Sequence, residues 1–491
     1  MNQYWILAAI LLPIIGGILI PFIPFPRKRL MFLYIEGITL LTSAIVWSLL
    51  LNGTTTVFHV VHFVNDISIS FKIDGMTMVF AGLVSVLWPL ATLYAFEYME
   101  HEKHTRIFFM FYSMTYGVTL GIAFASDIVS MYFFYELLTL VTVPLVMHTL
   151  TREAILAVRN YLYFSLGGAA FAMMSMICIM VYSDVCEFVP GGCLNLSALG
   201  EHTSLLLWIY FFSFLGFGVK SALFPFSFWL PQASVAPTPV TALLHAAAVV
   251  NAGAFGIIRL TYYCFGTDFL FGTWVQYACM ALCMFTIVYG CSRALKETHI
   301  KRRLAWSTVS NLSYILFGAT MMTPLGLTGA LSHFVFHGFM KMGSFLCAGA
   351  FIHQTGKQFI YEMDGMGRKM KLVFGCLAAS GLCLMGVPGC SGFISKWNLT
   401  RAAVDSGISL AYVGIACLLI SALLTAIYMM SMIVRAFFPP CSFSQEEVSG
   451  IADPGWKMCL PLLVCAAVSV LLGFFSQPLI TFFQNVSLGV Y

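Results

Sequence analysis

Three titratable side chains, His333, His337 and Lys341, fall four residues apart in the run HFVFHGFMKMGSFLCAGA. On a helix that spacing stacks them along one face. At 1.5 Å rise per residue they cover about 12 Å, more than a third of a bilayer's hydrocarbon thickness. Groups that gain and lose protons, set in a row on one stripe, are suited to a hydrated proton relay. A metal site competes for the same residues, but lysine is no ordinary ligand and no acidic residue accompanies the stripe.

A second set lies in residues 215–259, LGFGVKSALFPFSFWLPQASVAPTPVTALLHAAAVVNAGAFGIIR. The stretch is apolar enough for a bilayer, yet it holds Lys220, His245 and the four prolines Pro225, Pro231, Pro237 and Pro239. An ionisable residue at membrane depth points to a functional site. Irregular backbone there is tolerated only where protein or a water-filled cavity surrounds it. The expected form is an ion-conducting broken helix and its partner.

Glu136 sits within SMYFFYELLTLVTVPLVM. An uncompensated carboxylate at a helix centre costs ~2.5 kcal/mol or more, so it takes up a proton or pairs with a cation. Lys220 is the nearest candidate. Such a pair is either a structural tie between two helices or a switch whose opening and closing loads and releases a proton on Lys220. His245 follows the break, and histidine's ordinary pKa near 6.5 suits proton passage; its competing reading is a hydrogen-bonded packing residue. Lys396, in GFISKWNL, follows a second break at Gly386-Val387-Pro388-Gly389, with snorkelling to the interface as the alternative. Glu36, mid-span in LYIEGITL, has no evident partner, and is either interfacial or in contact with another subunit.

The elements that must position these residues are read from composition. The chain is 60% hydrophobic and 9% charged, far from the roughly one-quarter charged content of soluble domains. Apolar segments of about the length that crosses a bilayer recur at 4–25, 30–51, 75–96, 107–126, 128–149, 160–182, 204–229, 237–262, 270–292, 304–322, 325–352, 372–399, 408–434 and 458–484. An all-α polytopic membrane protein with about 14 transmembrane helices is expected. The stretch VFHVVHFVNDISISFKIDG alternates polar and apolar residues and predicts a short surface hairpin. Residues 4–25 lack a charged leader and read as a retained first span.

Eighteen of the 24 Lys and Arg fall in loops after odd-numbered spans, three on the opposite side (Lys72, Arg259, Arg401) and three within spans. Because cytoplasmic loops collect basic residues, both termini are expected outside a plasma (inner) membrane. The 15 cysteines are scattered without a CxxC pair, which argues against an iron–sulfur cluster in this chain. Cys186 and Cys193 share a loop and could bridge in an oxidising compartment, although small apolar filler is the plainer reading. Neither a Walker loop nor a strand-linked GxGxxG is present, so nucleotide-driven chemistry is not expected, and no nucleic-acid partner is called for.

Two segments join a proline break to a lysine: the seventh span (Lys220, Pro225) and the twelfth (Pro388, Lys396). Lying five spans apart, they predict two inverted five-helix repeats, since paired interrupted helices mark a transporter's binding site. The expected division is 1–103 for three N-terminal spans with the hairpin, 104–262 for the first repeat, 263–438 for the second, and 439–491 for a loop and the last span.

KSALFPFSFWLPQASVAPTPVTALLHAA, IKRRLAWSTVSNLSYI, HFVFHGFMKMGSFLCAGA and LMGVPGCSGFISKW together resemble the proton-translocating antiporter-like family. That family comprises large membrane-arm subunits of complex I, their equivalents in membrane-bound hydrogenases and formate hydrogenlyases, and large subunits of multisubunit Na⁺/H⁺ antiporters. The resemblance runs from about residue 70 to 435. It implies a fourteen-helix fold with repeats of spans four to eight and nine to thirteen. It also implies a Glu136–Lys220 regulatory pair, a path through His245, a central relay of His333, His337 and Lys341, and Lys396 on the exit side. Gln232, Ser227 and His299 depart from common family residues, and Asn251 stands where Lys or Thr is frequent, which throws weight onto His245. The chain ends soon after the last span without the long lateral helix of the distal complex I subunit, which implies a mid-arm or antiporter-type subunit.

The function so implied is H⁺ (or Na⁺) pumping within a redox-driven complex. It would have no cofactor of its own, and other membrane-arm subunits and a peripheral redox module carrying iron–sulfur clusters and a NiFe centre as partners. The many Cys and Met, both readily oxidised, lean towards a hydrogenase-like complex. The alternatives are a gradient-driven Na⁺/H⁺ antiporter subunit and a closed structural spacer, against which the full set of titratable groups argues.

Overall fold

In a computed structural model of the chain, residues 3–53, 56–64, 67–183, 185–195, 202–439 and 450–489 are described. The tip of the expected hairpin and much of the loop before the last span, 440–449, lie outside them. The N-terminal part comprises α1 (Tyr4–Leu19), α2 (Lys28–Asn52), strands β1 (Phe58–Val64) and β2 (Ile67–Phe71), α3 (Gly75–Tyr98) and α4 (Thr105–Phe124). Then follow α5 (Ile128–Val146), α6 (Arg152–Tyr182), α7 (Thr203–Lys220), α8 (Trp229–Ala233), α9 (Thr238–Ala246), α10 (Val249–Arg259) and the short α11 (Thr267–Leu270). The C-terminal half holds α12 (Trp274–Lys296), α13 (Ile300–Thr320), α14 (Pro324–Thr355), α15 (Lys371–Met385), α16 (Ser391–Asp405), α17 (Ser409–Phe437), α18 (Trp456–Phe474) and α19 (Gln477–Ser487).

Every one of the predicted apolar segments carries helix. Among the described residues, eleven spans are long and apolar enough to cross a membrane, and α1 and α15 are shorter apolar helices. The protein is thus a mostly helical, multi-pass membrane protein. The hairpin forms as an antiparallel pair, with Phe58 opposite Phe71. Helix starts follow ordinary capping chemistry: the side chains of Asp74, Asp127, Thr151 and Thr323 accept amide hydrogen bonds from Thr77, Ser130, Ala154 and Gly326.

The interior is built around α14. In the most apolar 18-residue window of this helix 89% of residues are buried, against 28% for α17 at the periphery. A helix apolar on all sides belongs inside a bundle, and α14 packs against α3, α9, α13, α15, α16, α18 and α19. The three residues of the His–Lys stripe therefore lie in the centre of the protein, away from lipid.

Several expectations need correction. The eighth span is not continuous: it breaks at Ala247–Ala248, where the backbone leaves helical geometry between α9 and α10. The sequence AAAVV carries no glycine or proline there, so the break comes from packing and not from local propensity. Arg259, Lys301 and Arg303, read as loop charges, are buried, at 0%, 7% and 4% exposure. The Cys186–Cys193 bridge, the less favoured reading of that pair, does not form: the Cys193 thiol is free and directed at the Cys264 carbonyl, 3.5 Å away.

Candidate functional site: a buried row of lysines and histidines

The first break follows Lys220 immediately. The chain turns at Ala222, with φ +54°, passes Pro225 and a 3-10 turn at Phe226–Phe228, and re-enters helix in α8, which contains Pro231. Opening a helix inside a bilayer strands carbonyls that need partners. Here the Trp229 indole donates to the Val219 carbonyl at 2.8 Å, and the Leu223 amide to that of Gly218 at 2.9 Å. Lys220, 1% exposed, lies 3.7 Å from Glu136 Oε1. Its ammonium also donates to the Tyr135 carbonyl and sits 3.3 Å from the centre of the Tyr135 ring. The Glu136–Lys220 pair expected from the sequence is therefore present.

The break between α9 and α10 places His245 one turn ahead of an opened backbone. Its ring stacks on Phe345 of α14 with centroids 4.5 Å apart, Nε2 faces Ser234 Oγ at 3.5 Å, and Nδ1 is buried without a protein partner. Asn251, a departure from the family pattern, donates its amide to the freed Ala246 carbonyl at 2.8 Å. Its side chain closes the break. Lys301, in the first turn of α13, reaches in to donate to the Ala236 carbonyl at 2.8 Å. The direct partners of Lys220 lie on α5, whereas His245 faces Ser234 and Phe345.

On α14 the rings of His333 and His337 stack with centroids 5.8 Å apart. His333 Nδ1 lies 2.9 Å from Ser395 Oγ, both nitrogens of His337 are buried without protein partners, and Lys341 donates to the Leu304 carbonyl at 3.0 Å. All three residues have 0% exposure.

The second break, at Pro388, separates α15 from α16. Gly386 takes the left-handed conformation, and a Cβ on Gly392 would fall 1.9 Å from the Cys383 carbonyl, so only glycine admits this close return. Lys396 turns inwards and donates to the carbonyls of Leu384 and Met385 at 2.7 and 2.9 Å. The ammonium is taken up by the carbonyls at the end of α15, which lack intrahelical partners, and not by snorkelling away from the bundle.

Sequence reasoning missed one charged cluster altogether. Arg259 makes two hydrogen bonds of 2.7 Å to Asp74, which itself caps α3, and Lys72 lies 3.8 Å from the same carboxylate. The guanidinium is enclosed by the rings of Phe188, Phe255 and Tyr263. Burial pushes the Asp74 carboxyl up, but Arg259, Lys72 and the Thr77 amide outweigh it and hold the group below its ordinary range. The partners are 185 positions apart, so only the N-cap signal in KIDGMT was there to be read. Among the described residues, no three His, Cys, Asp or Glu side chains gather as a metal site would require.

A multi-pass helical bundle with lysines at two helix breaks and a His–Lys helix between them defines a membrane protein whose interior carries a row of titratable groups. The chain belongs to the family described as NADH:quinone oxidoreductase/Mrp antiporter, whose transmembrane model matches residues 125–434. A second model, the N-terminus of chain 5 of NADH-ubiquinone oxidoreductase (complex I), matches residues 63–109. The NAD(P)H-quinone oxidoreductase chain 4-2 of Synechocystis sp. is 27% identical, over 91% of this chain and 82% of its own length. NADH-quinone oxidoreductase subunit N of Desulforudis audaxviator is also 27% identical, over 84% and 83%. In fold, the chain is similar to one in the membrane-bound sulfane sulfur reductase, an archaeal respiratory membrane complex (TM-score 0.86, 21% identity, 98% and 96% covered). It is likewise similar to a chain of the Mrp complex from Dietzia sp. (TM-score 0.83, 20% identity, 99% and 96% covered).

Proposed function

We propose that this chain is the proton-translocating, antiporter-like subunit of a redox-driven multisubunit membrane complex, with Na⁺ as the other candidate ion. The observation that carries the reading is Lys220, buried at a helix break and 3.7 Å from Glu136. A lysine in that setting is costly unless it is used. From there the route runs through His245, then Lys341, His337 and His333, to Lys396. Ring nitrogens buried without protein partners call for water, which supplies the gaps between these groups. Glu136 is the regulatory member, because its charge sets how readily Lys220 holds a proton.

Kinship with quinone oxidoreductase chains supports a complex I-like partner set: further membrane-arm subunits and a peripheral module with iron–sulfur clusters. A hydrogenase-type partner with a NiFe centre rests on Cys and Met content alone, and none of the relatives named above is a hydrogenase. Two inverted repeats, spans four to eight (104–262) and nine to thirteen (263–438), flanked by 1–103 and 439–491, fit the two lysine-bearing breaks. If the chain crosses fourteen times, the basic-loop bias supports both termini outside the plasma membrane, and the bias remains sixteen to two once the buried Lys301, Arg303 and Arg259 are set aside.

The second reading, a large subunit of a gradient-driven Na⁺/H⁺ antiporter, is favoured by the likeness to the Mrp complex chain. Co-purifying iron–sulfur subunits support the first reading, and small membrane subunits alone support the second. In proteoliposomes of the assembled complex, Lys220→Ala and Glu136→Ala should each abolish proton movement. Unchanged pumping in both would refute the scheme.

A further inference from the structure

Beside the histidine stripe, α12, α13 and α17 are joined by side chains in an unbroken hydrogen-bond sequence. Ser307 Oγ meets Tyr428 OH at 2.6 Å, and Tyr428 donates to Thr425 Oγ1 at 3.3 Å. Thr425 Oγ1 lies 3.5 Å from the Cys291 thiol, which is 3.0 Å from Ser421 Oγ, and Tyr314 donates to Ser421 at 2.6 Å. All six are buried. Elsewhere in this protein buried threonines such as Thr39, Thr92 and Thr119 simply donate to the carbonyl four residues back. That is the usual way a hydroxyl is satisfied in a membrane helix. Thr425 also donates to the carbonyl four residues back, that of Ser421 at 2.7 Å, but its oxygen and the neighbouring hydroxyls make further links sideways between helices, and the Cys291 thiol is the one side-chain link between Thr425 and Ser421.

The ends of this sequence coincide with the ends of the stripe. Ser307 lies one turn beyond Leu304, whose carbonyl holds Lys341. The Tyr314 ring packs edge-on against His333 at 5.1 Å and lies 5.6 Å from the Lys396 ammonium. Seven residues of α13 between Ser307 and Tyr314 span about 10 Å, close to the ~12 Å between His333 and Lys341. The lower end continues to Arg303, which donates to the Tyr428 carbonyl and to the half-buried Ser431 hydroxyl.

We propose that Ser307, Tyr428, Thr425, Cys291, Ser421 and Tyr314 form a second proton path parallel to His337, joining the Lys341 level to the His333–Lys396 level. The proposal rests on the proton-translocation reading above. For transfer the Thr425 hydroxyl turns from the Ser421 carbonyl to Cys291, and the Tyr314 hydroxyl turns from Ser421 towards His333 while Ser421 turns to donate to Tyr314. A proton given up by Lys341 through a water then forms a new O–H on Ser307 while the original O–H proton moves on to Tyr428, and so through each hydroxyl and the thiol. Tyr314 releases a proton through a water to the His333 imidazole, whose Nε2 has no protein partner. Each group ends with as many protons as it began with, and a return rotation of the O–H and S–H bonds resets the chain. Cys291 is the junction, because replacing it by alanine leaves Thr425 and Ser421 without a side-chain link.

Two parallel paths predict redundancy. Proton movement by the assembled complex in proteoliposomes should fall only modestly in His337→Ala and in Cys291→Ala alone. In the double variant it should fall about threefold or more beyond the product of the two single effects. Cys291→Ser paired with His337→Ala should restore the single-variant rate, since a hydroxyl makes the same links. If Cys291→Ala prevents assembly, Tyr428→Phe keeps the ring, removes the link and carries the same test. A double variant equal to the product of the singles, or no rescue by serine, overturns the proposal. Lys341→Ala separates this from the broader reading: normal pumping in that variant would refute proton translocation along the axis itself. Loss of pumping there, with multiplicative doubles, would remove only the second path.

Discussion

Asp74→Asn isolates what the buried Arg259 contributes to the fold that holds the relay. The guanidinium has 0% exposed side chain and makes two hydrogen bonds of 2.7 Å to that carboxylate. Asparagine keeps the size and removes the charge, which leaves a buried arginine uncompensated. Stranding one member of such a pair costs about 3–5 kcal/mol. Arg401–Asp405 supplies the control: its atoms are 3.5 Å apart, but the side chains are 63% and 44% exposed, so its loss costs about 0–1 kcal/mol. The assay is the thermal midpoint of the detergent-solubilised complex, read beside proton movement after reconstitution. Asp74→Asn should lower the midpoint several times more than Arg401→Ala. Adding Arg259→Met should recover part of the loss, because no charge is then stranded. Equal shifts for Asp74→Asn and Arg401→Ala would refute the argument, as would a double variant worse than Asp74→Asn alone.

Three further outcomes follow. The Asp74 carboxyl is held below its unfolded value of roughly 3.9 by Arg259. Its stabilising contribution is therefore complete above that value and is lost as pH falls through the lower folded one, so melting curves of wild type and Asp74→Asn should converge in acid and separate at neutral pH. Glu136→Gln preserves shape beside Lys220 but carries no charge; transport should be lost while subunit content, measured by native electrophoresis, is retained. Asn251→Leu strands the Ala246 carbonyl now held at 2.8 Å and should cost about 1–3 kcal/mol, measured as a lower thermal midpoint of the complex.

The breaks at Lys220 and Pro388 were legible because proline, glycine and lysine seldom fall together in an apolar run unless the helix opens there. The Glu136–Lys220 pair followed from the cost of either charge alone. The break after His245 was hidden, since AAAVV is an ordinary helical run and the opening depends on Asn251, five positions beyond the carbonyl it holds. Arg259 and Lys301 were misread for one shared reason. Each stands near the end of an apolar segment, where a basic residue usually marks a loop, and their acceptors at Asp74 and Ala236 are 185 and 65 positions away. The hydroxyl sequence through Cys291 had no readable signal, because Ser, Thr and Tyr scattered over three helices gain meaning only when those helices pack together.

The two lysines at the breaks are held in different ways, and on the proposed reading that difference assigns their tasks. Lys396 rests on the Leu384 and Met385 carbonyls, the unpaired C-terminal acceptors of α15, where the helix dipole favours a cation. Those acceptors belong to the break itself and move only with it. Lys220 stands at the C-terminus of its own helix, but its counter-charge comes from α5, and the Glu136 side chain is 24% exposed. A neighbouring subunit can therefore draw Glu136 away without disturbing α7, because Trp229 and Leu223 already satisfy the opened backbone there. The first break is thus the one that outside charge can switch. At the second, backbone fixes the affinity, which suits a station whose occupancy is set by whatever arrives from His333.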